Sequence, residues 1–206
     1  AILRYAAYGG LAAAVVSAGA LALVLAARAA SRPAFLAAVA GLVLGAVVVY
    51  VPWSWRQTAR RVPPIHDITT DTENPPEFRA VLPLRAGAPN PAEYGGPEIA
   101  EQQRRAYPDI RPLVWDVPPD TAFDRALAAA RAAGWEIVAA EPDEGRIEAT
   151  ATTFWFGFKD DVVVRIAPAN GGSRVDVRSV SRVGRSDVGT NARRIRDYLR
   201  RLQSKP

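Results

Sequence analysis

The chain begins with two uncharged apolar stretches, residues 5–27 between Arg4 and Arg28 and residues 33–55 between Arg32 and Arg56. A helix needs about 20 apolar residues to cross the hydrocarbon core of a bilayer, so each stretch is long enough to span. The short connection at residues 28–33 makes the two helices antiparallel, a transmembrane hairpin over residues 1–56. The start of the first helix and the end of the second then share one interface. That interface collects Tyr5, Tyr8, Tyr50, Trp53 and Trp55, rings that favour the headgroup level. Ala37, Gly41 and Gly45 form a small-residue stripe on the second helix, matched by Ala14, Ala18, Ala22 and Ala26 on the first. Small residues let helices approach closely in lipid. The stripes serve either to pack the two helices on each other or to dock a foreign membrane helix. A signal peptide fits poorly, because two full-length stretches follow each other, and the uncharged length of both disfavours a buried hairpin of a soluble protein.

The pattern changes after the hairpin. Twelve of the 17 prolines fall within residues 62–119. Pro-Pro, Asn-Pro and Gly-Gly steps break helix and sheet alike, so residues 57–112 read as an extended strap with a short helix near 98–107. Ile65, Phe78, Val81, Leu82, Leu84, Ile99 and Tyr107 give it apolar anchors that something must cover. Residues 113–206 read as an α+β domain. Strands are expected at 113–117, 135–140, 146–153, 162–167 and 173–181, with helices at 122–133 and 187–202. Asp120 or Thr121 would cap the first of these helices, and Ser186 or Asp187 the second. In 146–153, Ile147, Ala149 and Ala151 alternate inward against Arg146, Glu148 and Thr150. Strands joined by short turns predict an antiparallel sheet covered by two helices on one face.

Charge is unevenly placed. Residues 56–177 carry 14 Lys/Arg against 19 Asp/Glu, a net −5, whereas residues 178–206 carry 9 against 2, a net +7. A basic tail beside a membrane anchor points to anionic lipid or a membrane partner rather than to nucleic acid, for which no motif is present. With no cysteine there is neither a disulfide framework nor a thiolate metal site. With no methionine, even at position 1, the native chain is expected to begin earlier.

Three segments, PPIHDITTDTENPP (63–76), IEATATTFWFGFKDDVVVRI (147–166) and DVRSVSRVGRSDVGTNARRI (176–195), resemble domain-of-unknown-function family 1499. The similarity covers nearly everything after the hairpin. It implies a fold and a compartment rather than a reaction: an extracytoplasmic domain at the bacterial inner membrane, carried by a multi-pass anchor. The arginines flanking the hairpin, counted by the positive-inside rule, point weakly the other way. The chain lacks the cysteine pair that lipoprotein-like members tend to carry near the start of the domain.

The densest polar cluster is Lys159, Asp160, Asp161 and Arg165 with Arg178, Arg182, Ser186, Asp187 and Asn191. Adjacent carboxylates suit acid–base or metal chemistry. Embedded among arginines, Asp160, Asp161, Arg165, Arg178 and Asp187 suit a structural network better. Arg178, Arg182, Ser186 and Asn191, at the start of a helix, define a candidate anion site. His66, the only histidine, either anchors the strap or joins Asp67 and Asp71 as a ligand. Phe154, Trp155, Phe156 and Phe158 are core or, if exposed, a contact face. No nucleophile elbow, P-loop or dinucleotide fingerprint is present. The reading that follows is a non-enzymatic accessory subunit of a larger membrane complex, respiratory or photosynthetic. It needs no cofactor or metal, and its partners are other membrane subunits and the bilayer. A lipid- or small-anion-binding envelope protein is the alternative, and a hydrolase using Asp160, Asp161 and His66 a more distant one.

Overall fold

The structure, a computed structural model, describes residues 2–26, 32–154 and 156–204, with side chains in the first helix described over residues 8–24. Expectations resting on the side chains of Arg4, Tyr5 and Ala26, on residues 27–31 with Arg28, and on Trp155 lie outside the described residues. The chain divides into two compact units, Ala1–Arg61 and Val62–Pro206.

The first unit is a pair of helices, α1 (Ile2–Ala26) and α2 (Arg32–Arg61). They run antiparallel, since Gly10 meets Val48 and Gly45, Ala14 meets Gly45, and Ser17 meets Gly41. Only hydrogen fits at Gly45: a Cβ there would lie 2.8 Å from Ala14 N and 2.9 Å from Gly10 O. Gly41 and Gly45 are therefore occupied by α1 and are not open to a foreign helix. Ala37 leaves the stripe. It is exposed, and the buried line runs through Ala38 to Gly45. Steps of four residues drift by about 40° each around a helix of 3.6 residues per turn, whereas alternating steps of three and four stay on one face. The helix also continues past the apolar stretch, through Arg56, to Arg61. Among the described residues α2 is the one helix long and apolar enough to cross a membrane, and α1 contributes a shorter apolar stretch, Tyr8–Val24. Only 11% of the apolar window of α2 is buried. Tyr8, Tyr50, Trp53 and Trp55 are exposed, and the Tyr50 and Trp53 rings lie 5.9 Å apart.

The second unit is α+β. Its strands are β1 (Asp67–Thr69), β2 (Leu113–Trp115), β3 (Glu136–Glu141), β4 (Arg146–Thr152), β5 (Lys159–Ala169) and β6 (Gly172–Ser181). Its helices are α3 (Gly96–Ala106), α4 (Pro119–Ala132) and α5 (Thr190–Gln203). The sheet is antiparallel throughout, in the order β1-β6-β5-β4-β3. β2 shares the β6 edge with β1, pairing Ser173–Val175 while β1 pairs Arg178–Val180. Asn170 and Gly171, at φ 46° and 84°, close the β5–β6 hairpin in two residues, the positive-φ turn that matches strand twist.

Alternation places Ile147, Ala149, Val162, Val164, Val175 and Val177 in one core with Phe123 and Ala126 of α4 and Ile195 and Tyr198 of α5. Trp135 stacks on Tyr198 at 4.7 Å, and the Tyr198 hydroxyl donates to Ala126 O at 2.8 Å. α4 starts at Pro119 with no side-chain cap, rather than behind Asp120 or Thr121, because proline in the first turn has a preset φ and no N–H to satisfy. α5 starts at Thr190, later than its apolar periodicity suggested. Asp187 remains outside it and accepts the Gly189 and Asn191 amides at 2.9 and 2.6 Å.

The largest departure concerns the other sheet face. Glu148 and Thr150, read as solvent-facing, are 0% and 2% exposed. The Pro-rich segment covers them. Far from featureless, it supplies β1, a 3-10 turn at Leu82–Arg85 and α3. Phe78 and Val81 form a second small core with Val163 and Val180. Ile65 and Tyr107 are buried among the anchors, while Leu82 and Leu84 are exposed.

The helix pair offers a direct check. An ideal Cβ on Gly41 lies 3.2 Å from Ser17 Cβ, near the roughly 3.5–4.5 Å typical of disulfides. The Ser17→Cys/Gly41→Cys variant is expected to form an intramolecular disulfide in mild oxidant, and adding Gly45→Leu is expected to suppress it. Absence of the cross-link in the double variant would show that the helices do not pack through this stripe.

Candidate functional site: a charged sheet face beneath the strap

The polar residues singled out by the sequence do not converge on one point. Asp160 and Asp161 are neighbours on β5, so they project to opposite faces. Asp160 accepts from Arg194 of α5 at 2.5 Å. Asp161 faces the strap, where Arg85 reaches it at 2.6 Å, Arg182 grips both its oxygens at 2.9 and 2.8 Å, and the Thr150 hydroxyl donates at 2.8 Å. The expected carboxylate pair is thus split by the sheet. The anion set is split as well. Arg178 and Arg182 lie on the strap side, while Asn191 bonds Ser179 at 2.7 Å on the helix side. Ser186 is half-buried in the loop before α5, where its hydroxyl accepts from Val188 N at 3.2 Å.

Arg178 is the centre of the strap-side face. It is 2% exposed. It binds Asp67 through Nε at 3.0 Å and Nη2 at 2.7 Å, and donates to Pro76 O at 3.1 Å and Ala92 O at 2.7 Å. Its guanidinium lies between the Phe78 and Tyr94 rings, 5.1 and 5.4 Å from their centroids. One side chain thus fixes the strap at three points, Asp67 of β1, Pro76 and Ala92. A fork of fixed planar donors suits this better than the point charge of lysine would.

Glu148 holds the strap by the opposite chemistry. Its two oxygens accept the amides of Arg79, Ala80 and Val81 at 2.9–3.1 Å, and Arg146 pairs with it from the same strand. Arg165, expected in the Asp160–Asp161 network, belongs instead to a separate cluster with Asp176 at 2.9 Å and Asp71 at 3.1 Å, which Arg174 completes. Asp71 also accepts the Glu73 and Asn74 amides at 3.1 and 2.9 Å, closing the turn before the Pro-Pro step. His66 contributes its carbonyl, which accepts from Ser181 N at 3.0 Å and Asn191 Nδ2 at 2.9 Å. Among the described residues no group of three or more His, Asp or Glu is placed to hold a metal ion.

Burial and pairing shift the carboxyls in different directions. Burial pushes Asp67 up, more than the bound Arg178 guanidinium and the more distant Arg85 pull it down. Asp161 is also pushed up by burial, but Arg182, Thr150 and Arg85 together donate four hydrogen bonds and hold it below the usual carboxylate range. Burial raises Asp187 despite its two amide donors. The Tyr94 hydroxyl rises to about 12, chiefly through burial and then through the nearby Asp67 charge.

Sequence reasoning missed Arg85, Glu148 and Asp176. In sequence alone, a charged residue at the polar phase of an alternating strand is indistinguishable from a solvated one. Asp67 was visible only through its place in PPIHDITTDTENPP, where it was weighed as a companion of His66.

These contacts define an α+β domain whose sheet is buried on both faces, one beneath helices and one beneath a charged, arginine-locked strap. Residues 67–202 match the family described as a protein of unknown function, DUF1499, and the chain belongs to that family. Among curated proteins none matches it.

Removing one partner of a buried ion pair costs about 3–5 kcal/mol, because the other charge is left uncompensated. Arg178→Met is therefore expected to destabilise the second unit by about that much, and to raise amide exchange over residues 67–78 and 92–95. Adding Asp67→Leu should recover part of the loss in denaturant unfolding. Native stability in Arg178→Met would refute the locking role.

The pH dependence follows from the same shifts. The folded-state value of Asp161 lies below its unfolded one, so its contribution is complete above the ordinary carboxylate range and is lost as pH falls through the depressed value. Asp67 and Asp187 are raised and act oppositely, weakening the fold as pH rises through their folded values. Asp161→Asn is expected to lower stability at neutral pH and to flatten the acid limb of a stability–pH profile. An unchanged acid limb would count against this assignment.

Proposed function

We propose that this chain is a membrane-anchored, non-catalytic accessory subunit of a larger membrane protein complex. Both helices span as a hairpin in a bacterial inner membrane, and the domain that begins at Val62 lies on the extracytoplasmic side. The observation that carries the reading is the apolar surface of α2. Leu36, Val43 and Leu44 are more than half exposed, which the core helix of a soluble protein does not tolerate and which lipid or a neighbouring membrane helix would cover. The exposed rings of Tyr8, Tyr50, Trp53 and Trp55 suit a headgroup-level belt.

The polar side chains support the non-catalytic part. Asp67, Glu148, Asp160, Asp161 and Arg178 are spent on one another, on backbone amides or on neighbouring arginines. Catalytic groups are instead left facing a cleft where substrate can reach them. A rigid domain on a membrane anchor is the architecture of a clamp or bridge, and a respiratory or photosynthetic assembly offers the partners such a subunit needs.

Extraction in mild detergent followed by native electrophoresis is expected to recover the chain in stoichiometric association with a larger membrane complex. Recovery only as a free monomer, with no co-purifying membrane protein, would overturn the subunit reading.

A further inference from the structure

Five of the 14 residues of α5 are arginine, and one is acidic. Arg194 turns to the sheet, where Asp160 holds it. Arg193, Arg196 and Arg200 stand three and four residues apart and so share another face. Like charges at that spacing repel and weaken a helix. Here they line a cleft of about 470 Å³, whose opposite wall is the 109–113 segment leading into β2. A fourth guanidinium, Arg111, comes from that wall. A cleft of this size accommodates a small organic ligand.

The cleft is cationic and partly assembled. Arg196 donates through Nε and Nη2 to the two oxygens of Asp109, at 2.6 and 2.8 Å. Its guanidinium also lies 5.3 Å from the centroid of the Tyr107 ring. The group is thus held from two sides, with Nη1 left to meet a ligand. Arg111 spends Nε on Pro108 O at 2.9 Å, which leaves both Nη groups. Arg193 is exposed and has no ion-pair partner among the described residues. Arg200 pairs only with Asp197 three residues away, an exposed contact that contributes little. The Arg196 hydrogen bond holds the Asp109 carboxyl below its ordinary range, so it stays ionised at neutral pH. Four guanidinium groups therefore face two carboxylates, a net charge of +2. Leu113 and Leu199 add an apolar lining, beside which charge-assisted hydrogen bonds strengthen.

We propose that this cleft binds a phosphate ester, with Arg111, Arg193 and Arg196 on the phosphate and Leu113 and Leu199 against its organic part. Planar guanidinium forks match phosphate oxygens in pairs, which suits a doubly charged group facing a net +2. A water-soluble phosphate ester and a phospholipid headgroup share this chemistry. The site lies wholly within the second unit and does not rest on the membrane anchorage proposed above.

The full-length chain in neutral maltoside detergent would be titrated calorimetrically with glycerol 3-phosphate and with dihexanoyl phosphatidic acid. Glycerol and dihexanoylglycerol serve as phosphate-free controls. Saturable binding of at least one phosphate probe is expected, and none of the controls. Saturation by glycerol 3-phosphate supports the site and assigns it to soluble esters, whereas saturation by phosphatidic acid alone supports it and assigns it to a lipid headgroup. Arg193→Gln and Arg111→Gln are each expected to weaken binding about tenfold, the loss of one charge-assisted hydrogen bond. Both side chains are exposed, so the unfolding transition should not move. Arg131→Gln, an exposed arginine of α4, should leave binding unchanged. Failure of both phosphate probes to saturate overturns the proposal. So does full affinity in the Arg111→Gln/Arg193→Gln double variant, or a loss in Arg131→Gln as large as in Arg193→Gln, which would mark diffuse charge attraction.

Discussion

A carboxylate taken out of water must find donors or neutralise, and the strap side of this sheet buries Glu148, Asp161 and Asp176 at 1% exposure or less. Most other features of the domain follow from meeting that requirement. The donors come both from residues 67–95 and from residues of the sheet and its β6 end, Arg146, Thr150, Arg165, Arg174 and Arg182, and the strap supplies the cover that excludes water. Three strap amides converge on Glu148, Arg85 descends on Asp161, and Thr70 donates to Asp176 at 3.3 Å. Arg178 inverts the scheme, rising from the sheet to collect Asp67 and two strap carbonyls. Hydrophobic packing alone, with Phe78 and Val81 on Val163 and Val180, would hold the strap loosely and in many registers. The charge pairs choose one.

The same pairs account for the motif segments. In PPIHDITTDTENPP, Asp67, Thr70, Asp71 and Pro76 each make a named contact with the sheet. Thr69 exchanges two hydrogen bonds with Gln103 of α3, at 2.9 and 2.6 Å. A stretch that resembles a ligand set is a set of fasteners. Buried ion pairs seldom add net stability over apolar packing, so their use here is better understood as specifying a path than as strengthening a core.

Legibility in the sequence tracked periodicity. The phase of Ile147, Ala149 and Ala151 gave the helix-side core, and the Asn-Gly-Gly step marked the β5–β6 turn. The i, i+3, i+4 recurrence of Ala192, Ile195, Leu199 and Leu202 gave α5 to within a few residues. What escaped had no periodic signature. β1 is only three residues long and owes its conformation to the edge of β6, so nothing local announces it. The second buried face was invisible because the pattern reports which residues are polar, not what lies over them. The candidate site was legible by residue type, since most residues in the polar cluster are engaged in ion pairs or hydrogen bonds, but not by arrangement. Adjacent Asp160 and Asp161 read as a pair only until the pleat separates them.

β1 has a consequence for how the molecule comes into being. It is the first element of the domain to leave the ribosome, yet its partners lie near the end: Asp67 meets Arg178 across 111 residues. Synthesis proceeds at about 5–20 residues per second, so the strap spends several seconds as an unpaired edge. Loop closure over such a distance is also slow in its own right. The many prolines of that stretch give it little capacity to pair wrongly while it waits. The segment that joins the helix pair to the domain is thus the first part of the domain made and the last secured.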